Sequence, residues 1–455
     1  MKRENVDLTE GSIWKNLLTF TLPLLFSALL QQLYNTADLL IVGRFAGKVD
    51  MAAIGACGAI TLLVVALFMG LSTGTSVLVA QYYGAKNRKE LSKVVHTNFA
   101  IAIYGGGLLS IITIIFSPVF LKWIATPPEV MGPATSYLRI VFAGMVPVML
   151  YNMGSAVLRS VGDSVRPFNF LAVSAFLNII LDLVFVGIFD MGAVGAGIAT
   201  AFAQSVSGIL VTYSLIRTTD IYRLRFKRIR FHKDSLRDIF AIGLPAGISG
   251  AMIALSNVII QGQINVFGAQ AIAGAASANR IDGFVFTSLE AFALAITTFV
   301  GQNIGARKPK RLSAGIKTSL LMTWVFVAVV SSILVCFRYT FMSVFSADHG
   351  VIFYGAKMTV TLAPFYVVFS TTEVLSGAIR GSGTSIPVMI ITLIGMFIIR
   401  LGWIVVAMPV FNNIDTIYWS YPISWIATFI MTVIYFRIGK WRADLPEGDI
   451  EKTVE

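Results

Sequence analysis

An all-helical membrane protein with many spans is predicted by three features of this chain. They are a surplus of apolar side chains, apolar runs of roughly 20 residues that recur along its length, and Lys and Arg gathered in the short segments between those runs. Of the 455 residues, 56% are hydrophobic and only 13% charged, and the mean hydropathy is +0.80. That is more apolar surface than one soluble core can bury, so part of it must face lipid. A membrane barrel would show alternating segments of about ten residues, whereas these runs are continuous and long enough to cross a hydrocarbon core of about 30 Å as helices.

Twelve spans follow from the runs, near residues 13–43, 51–82, 94–121, 131–157, 167–189, 192–216, 236–267, 270–303, 315–338, 351–378, 385–409 and 416–437. The opening MKRENVDLTEGSIWKNLL lacks a short apolar core followed by a small-residue cleavage site, so the first run is expected to remain as a span. The formal net charge of +12 does not indicate nucleic acid, because the cations follow the loops and do not line one face. Lys86, Arg88, Lys89 and Lys93, Arg159 and Arg166, and Arg307, Lys308, Lys310 and Arg311 fall on one side, with both chain ends and the long segment RTTDIYRLRFKRIRFHKDSLRD. The opposite loops hold few cations, among them Arg44, Lys48, Lys122 and Arg338. The positive-inside bias therefore predicts that both termini are cytoplasmic, with the long basic segment a solvated linker. Cys57 and Cys336 both lie in apolar runs and are expected to pack as small hydrophobes with no disulfide framework.

Sliding the chain against itself by a little over 220 residues exposes an internal repeat. TLPLLFSALLQQLYNTADLLIVGRFAG answers GLPAGISGAMIALSNVIIQGQINVFGA, which aligns Pro23 with Pro245, Asn35 with Asn257 and Phe45 with Phe267. AQYYGAKNRKEL answers GQNIGARKPKRL, and LRSVGDS answers IRGSGTS, aligning Arg159 with Arg380 and Gly162 with Gly383. An even number of spans separates equivalent points, so the halves share one orientation, related by a pseudo-two-fold along the membrane normal. The expected organisation is a first lobe of six spans in residues 1–216, a basic linker at 217–235, and a second six-span lobe with a tail at 236–455. Gly84, Gly162, Gly305 and Gly383 are expected to supply left-handed helix stops, and Asp163 a cap or turn.

Ionisable residues inside spans are costly and mark candidate sites. Asp38 and Asp182 lie on spans running the same way, each about five residues before the outer end, which places both carboxylates roughly 7 Å inside it. Tyr34 and Asn35 precede Asp38 by four and three residues, and Asn178 precedes Asp182 by four, so these polar groups share helix faces with the acids. Gln31 extends the first stripe by a turn. Two carboxylates in one poorly hydrated pocket suit proton loading, and Asp38, Asp182, Asn178 and Thr200 are equally hard ligands suited to Na⁺. The counterpart of Asp38 in the second half is Ile260, and the region matching Asp182 carries no acid, so the site is one-sided. Arg280, Asp282, Glu290, Glu373 and Arg400 in the second half are expected to pair with one another structurally. Pro23 and Pro245 should kink their helices. His96, His232 and His349, read as lying in loops or at a helix end, form no metal or catalytic spacing, and there is no P-loop, so energy is expected from an ion gradient, with no bound cofactor.

Pro23, the Tyr34 to Asp38 segment, the QYYGAK and QNIGAR pair, the LRSVGDS and IRGSGTS pair and NIILDLVFVG, in combination, resemble the multidrug and toxic compound extrusion (MATE) family, and in particular its DinF-like prokaryotic branch. The likeness runs from about Trp14 to Arg437. It implies a twelve-helix, two-lobe antiporter that expels organic, often cationic, compounds in exchange for H⁺ or Na⁺. It further implies that Asp38 and Asp182, with Tyr34, Asn178, Thr200 and Asn152, form the cation site of the first lobe, and that Pro23 bends the first helix. The seventh span carries Gln261 and Gln263 where the NorM-like branch would place acids. The expectation is a monomeric, multi-pass transporter of the plasma membrane of a prokaryote, with small organic substrates, no catalytic residues and no nucleic acid. A lipid-linked saccharide flippase of the same wider fold is the alternative; a membrane-embedded enzyme would need a converging acid and base or nucleophile, for which only the aspartate pair qualifies.

Overall fold

The structure is a computed structural model that describes residues 6–442; the tail of the second lobe beyond Arg442 lies outside the described residues. Among the described residues the chain forms helices and no strands, and twelve helical spans run in order. They are α1 (Ile13–Phe45), α2 (Gly47–Gly84), α3 (Arg88–Trp123), α4 (Pro128–Ala143, continuing after a 46° bend as Met145–Ser160), α5 (Val165–Ile188) and α6 (Gly192–Arg217). After the linker come α7 (Lys233–Asn265), α8 (Ala269–Gly305), α9 (Pro309–Cys336), α10 (His349–Gly381), α11 (Ile386–Phe411) and α12 (Ile414–Ile438). The sequence-based spans fall on these helices one for one, but the helices extend past the apolar runs because polar turns such as Arg88–Lys93 continue them beyond the bilayer.

The repeat is visible in the backbone. Ser27 Oγ donates to Pro23 O at 2.7 Å, and Ser249 Oγ donates to Pro245 O at 2.9 Å, so both repeats carry the same hydroxyl back-bond one turn after the proline. At the ends of α2 and α8, Ala85 N bonds Gln81 O and Ala306 N bonds Gln302 O, both at 2.9 Å. Here the expected role of the glycines is corrected. The left-handed residues are Lys86 (φ 55°) and Arg307 (φ 54°), whereas Gly84 and Gly305 close the last helical turn with ordinary dihedrals. Gly162 (φ 90°) and Gly383 (φ 93°) do take the left-handed stop, with Gly162 N to Arg159 O at 3.0 Å and Gly383 N to Arg380 O at 2.8 Å. Gly162 has a second reason to lack a side chain, because a Cβ there would overlap the carbonyl oxygen of Val6, whose N–H donates to Gly162 O at 3.2 Å. The α4 bend sits at Gly144, where a Cβ would come within 2.9 Å of Ala201 Cβ, so close packing against α6 requires glycine. Asp163 caps the start of α5, accepting Arg166 N–H at 3.0 Å and pairing with its guanidinium.

The helices fold into two compact units. One comprises Leu22–Leu244 with Val6 and Asp7; the other comprises Leu8–Thr21 with the chain from Pro245 on. Both divisions fall inside a helix beside a repeated proline, in α1 next to Pro23 and in α7 at Pro245, where the missing N–H weakens the ladder. The first unit is centred on Phe99, Met149, Met153, Val157 and Val211, and the second on Ile260, Tyr366, Tyr418 and Trp425. Each unit also turns large apolar side chains outward, as lipid-facing helices must: Tyr104, Leu108, Ile111, Ile112 and Ile115 form such a stripe on α3. Of the two cysteines, Cys57 is buried and donates to Ala134 O at 3.3 Å, while Cys336 is exposed at the last residue of α9, contrary to its expected place in the core.

Candidate functional site

In the first unit, α1 and α5 bring their acids together. The carboxyl groups of Asp38 and Asp182 lie within hydrogen-bond reach of each other. Asp182 is fully buried, Asp38 is half-buried, and Asp38 Oδ1 and both oxygens of Asp182 have no hydrogen-bond donor among the described residues. Two ionised carboxylates at this separation and out of water repel strongly, so the arrangement calls for a cation between them. Helix period accounts for the neighbours. Asn178, one turn before Asp182, is fully buried and donates to Thr200 Oγ1 of α6 at 3.4 Å, while Asn178 Oδ1 is a further acceptor without a donor among the described residues. Tyr34, one turn before Asp38, is buried with its hydroxyl in hydrogen-bond reach of Thr200. Five sequence candidates, Tyr34, Asp38, Asn178, Asp182 and Thr200, thus form one cluster from three helices. The acids lie seven and six residues before the ends of α1 and α5, not about five, because the helices run on to Phe45 and Ile188.

The α5 backbone widens just after Asp182. Phe189 N bonds Val184 O at 2.9 Å, an i to i−5 bond in a π turn covering Leu183–Ile188. This turn separates the acid from the outer end of the helix, and Asp50 at the start of α2 accepts Ala193 N–H at 3.1 Å, holding the first turn of α6 beside it.

Other candidates stand apart from the acids. Gln31 Nε2 donates to Asn35 Oδ1 at 3.3 Å along the face of α1, where Asn35 is exposed. Asn152 Nδ2 donates to Val148 O of its own helix at 2.9 Å. Pro23 lies about four turns before Asp38 on the same helix. The sequence missed Tyr137 of α4, which lies within electrostatic range of Asp38, Tyr34 and Asp182 and packs on the small apolar cluster of Val42, Val186 and Ala196. No spacing on its own helix marks Tyr137; only the packing of α4 on α1 and α5 brings it there.

The second unit carries no equivalent pair of facing aspartates among the described residues. Instead, the fully buried Arg400 of α11 donates to Ser424 Oγ at 2.9 Å and to Asn257 Oδ1 at 3.0 Å, and lies 4.7 Å from the ring centre of Tyr421. Asn257 is the repeat counterpart of Asn35. Asp282 accepts the Tyr366 hydroxyl, and Glu290 and Glu373 lie in the field of Arg380. The expected ion pairing among Arg280, Asp282, Glu290, Glu373 and Arg400 is therefore corrected: among the described residues none of the five forms a direct ion pair with another. Neutral hydroxyl, amide and aromatic groups satisfy Arg400, and the Tyr366 hydroxyl reaches one oxygen of Asp282, at smaller desolvation cost than a second buried charge. No group of three metal-binding side chains occurs among the described residues.

The MatE family model matches the chain twice, at residues 23–184 and 245–406, the two copies beginning on Pro23 and Pro245. The chain belongs to the MatE family. Among similar MatE proteins, the probable multidrug resistance protein YoeA of Bacillus subtilis is 27% identical, with 83% of each chain covered. The probable multidrug resistance protein NorM of Thermotoga maritima is 25% identical over 94% of this chain and 93% of its own. A solved outward-facing multidrug resistance MATE family transporter of the MOP superfamily superposes with a TM-score of 0.91 at 21% identity, covering 98% of this chain and 99% of that one, a likeness of fold. The MatE scaffold is thus carried by both repeats, while the aspartate cluster belongs to the first alone.

Proposed function

We propose that this MatE protein is a secondary active multidrug efflux antiporter, which exports organic, cationic compounds in exchange for H⁺ or Na⁺ by alternating access. One observation carries the reading: the half-buried Asp38 and the buried Asp182 face each other, with acceptor oxygens that no group among the described residues satisfies. A proton or Na⁺ bound there removes the repulsion, and Asn178, Tyr34 and Thr200 are placed to complete its coordination or hydrogen bonding. Cation and substrate need not share atoms, since coupling requires only that each bind the two facings differently. Pro23, with the break in its helix ladder, offers a place where α1 bends as the cation is exchanged. The names of the relatives support the class of substrate. The loop charges support cytoplasmic termini in the plasma membrane of a prokaryote.

The test is uptake of a fluorescent organic cation into proteoliposomes holding inverted-orientation protein, under an imposed pH gradient or an imposed Na⁺ gradient. Transport driven by one gradient, and lost in Asp38→Asn, supports the reading and names the ion. Absence of gradient-driven transport in well-inserted wild type would overturn it.

A further inference from the structure

The long basic segment between α6 and α7, expected to be a solvated linker, is held firmly against the first unit. Tyr222 and Leu224 are buried in that unit's core, and Leu224 N bonds Leu215 O at 3.0 Å. His96 is not in a loop or at a helix end, as expected, but buried on α3. Its Nδ1 lies 2.6 Å from Ser92 O and so carries the proton, leaving Nε2 to accept Arg225 N–H at 3.1 Å. One residue on, Thr97 Oγ1 accepts His232 N–H at 3.1 Å. Two contacts on α3 therefore fix where the linker leaves and rejoins the helix.

Between them the chain turns tightly at Phe226–Arg228 and presents two kinds of side chain outward. Residues 221–233 contain six Lys or Arg and no acid. Arg223, Arg225, Lys227, Arg228, Arg230 and Lys233 are exposed, and none forms an ion pair among the described residues. Phe226 and Phe231 are also exposed, 62% and 48%. Water is the wrong solvent for these rings, and the place of Phe231 shows what replaces it. Its ring centre lies 5.7 Å from that of Tyr104. Tyr104 heads the outward apolar stripe of α3 that continues through Leu108, Ile111 and Ile115. Seven residues of helix, roughly 10 Å, separate Thr97 from Tyr104. The linker thus lies along the lipid-facing flank of α3, with an aromatic pair at the start of the apolar band, where membrane proteins concentrate Tyr and Trp. Its exposed cations flank this aromatic pair.

We propose that the segment Arg223–Lys233 is an interfacial binding site for anionic phospholipid headgroups of the leaflet on its side, with Arg225, Lys227 and Arg228 holding phosphate and Phe226 and Phe231 seated among the upper acyl chains. Exposed cations beside an apolar anchor attract such headgroups, and salt weakens the attraction.

Full-length protein in detergent, offered equal phosphatidylglycerol and phosphatidylcholine, is examined by native mass spectrometry. Wild type is expected to retain phosphatidylglycerol preferentially, and R225Q/K227Q/R228Q to weaken its binding by about tenfold or more, whereas K86Q/R88Q/K89Q, with the same charge loss elsewhere, leaves it intact. Equal retention of both lipids, or equal losses in the two triple variants, overturns the proposal. So does displacement of the lipid by millimolar inorganic phosphate, which would mean an adventitious ion only. Independently of those variants, a nitroxide on Phe226→Cys in a Cys336→Ser background, in phosphatidylglycerol vesicles, should be relaxed more by oxygen than by a water-soluble nickel chelate. The reverse order would place the segment in water and overturn the proposal.

Discussion

Replacing Asp182 by asparagine keeps the size of the side chain while removing one of two facing acids, and its effect can be worked from their placement. Two unit charges about 4 Å apart at an effective dielectric of about 20 interact by about 4 kcal/mol. On the proposed reading the second carboxylate attracts the coupling cation by that amount; in Asp182→Asn the attraction is gone, and at about 1.4 kcal/mol per tenfold the affinity falls roughly 10³-fold. The same substitution removes the like-charge repulsion of the cation-free site, so thermal stability in detergent should hold or rise while gradient-driven uptake in proteoliposomes falls to background. A folded variant that has lost only transport is the signature of a cation site. Uptake at the wild-type rate under the same gradient would refute the assignment, and a large loss of stability would show that the acid's role is structural.

Thr200→Val should weaken coupling less than either aspartate variant, because it removes the hydroxyl that accepts from Asn178 and neighbours Tyr34 but leaves both charges; the gradient dependence of uptake measures this. Gly162→Ala forces a Cβ into left-handed backbone and against the Val6 carbonyl, so it should destabilise by about 1 kcal/mol or more, read as a lower melting midpoint. Arg400→Gln breaks hydrogen bonds to Ser424 and Asn257, each worth about 1.5–3 kcal/mol when charged, and should lower the melting midpoint of the second unit without changing cation binding in the first. Asp348 accepts N–H groups from Gly350 and Val351 at the start of α10, and these bonds hold its carboxyl below the usual carboxylate range. Its contribution to stability is therefore present above the ordinary carboxylate pKa and is lost as pH falls through the folded value, so Asp348→Asn should flatten the acid limb of the melting curve.

Much of this protein is determined locally and so was legible in the sequence. Apolar runs specify spans because an unpaired backbone cannot cross lipid, and the doubled prolines and paired helix stops follow from chain chemistry that acts over four residues. The 3.6-residue period likewise put Tyr34 beside Asp38 and Asn178 beside Asp182. Tertiary packing decided what crosses between helices: that the two acids face one another, that Tyr137 and Thr200 join them, that Arg400 is satisfied by Asn257, Ser424 and Tyr421 without an acid, and that His96 is buried to receive the linker. Periodicity specifies the face a residue occupies on its own helix. Which helix that face meets depends on how bends at positions such as Gly144 let neighbours approach, and that is a property of the packed whole.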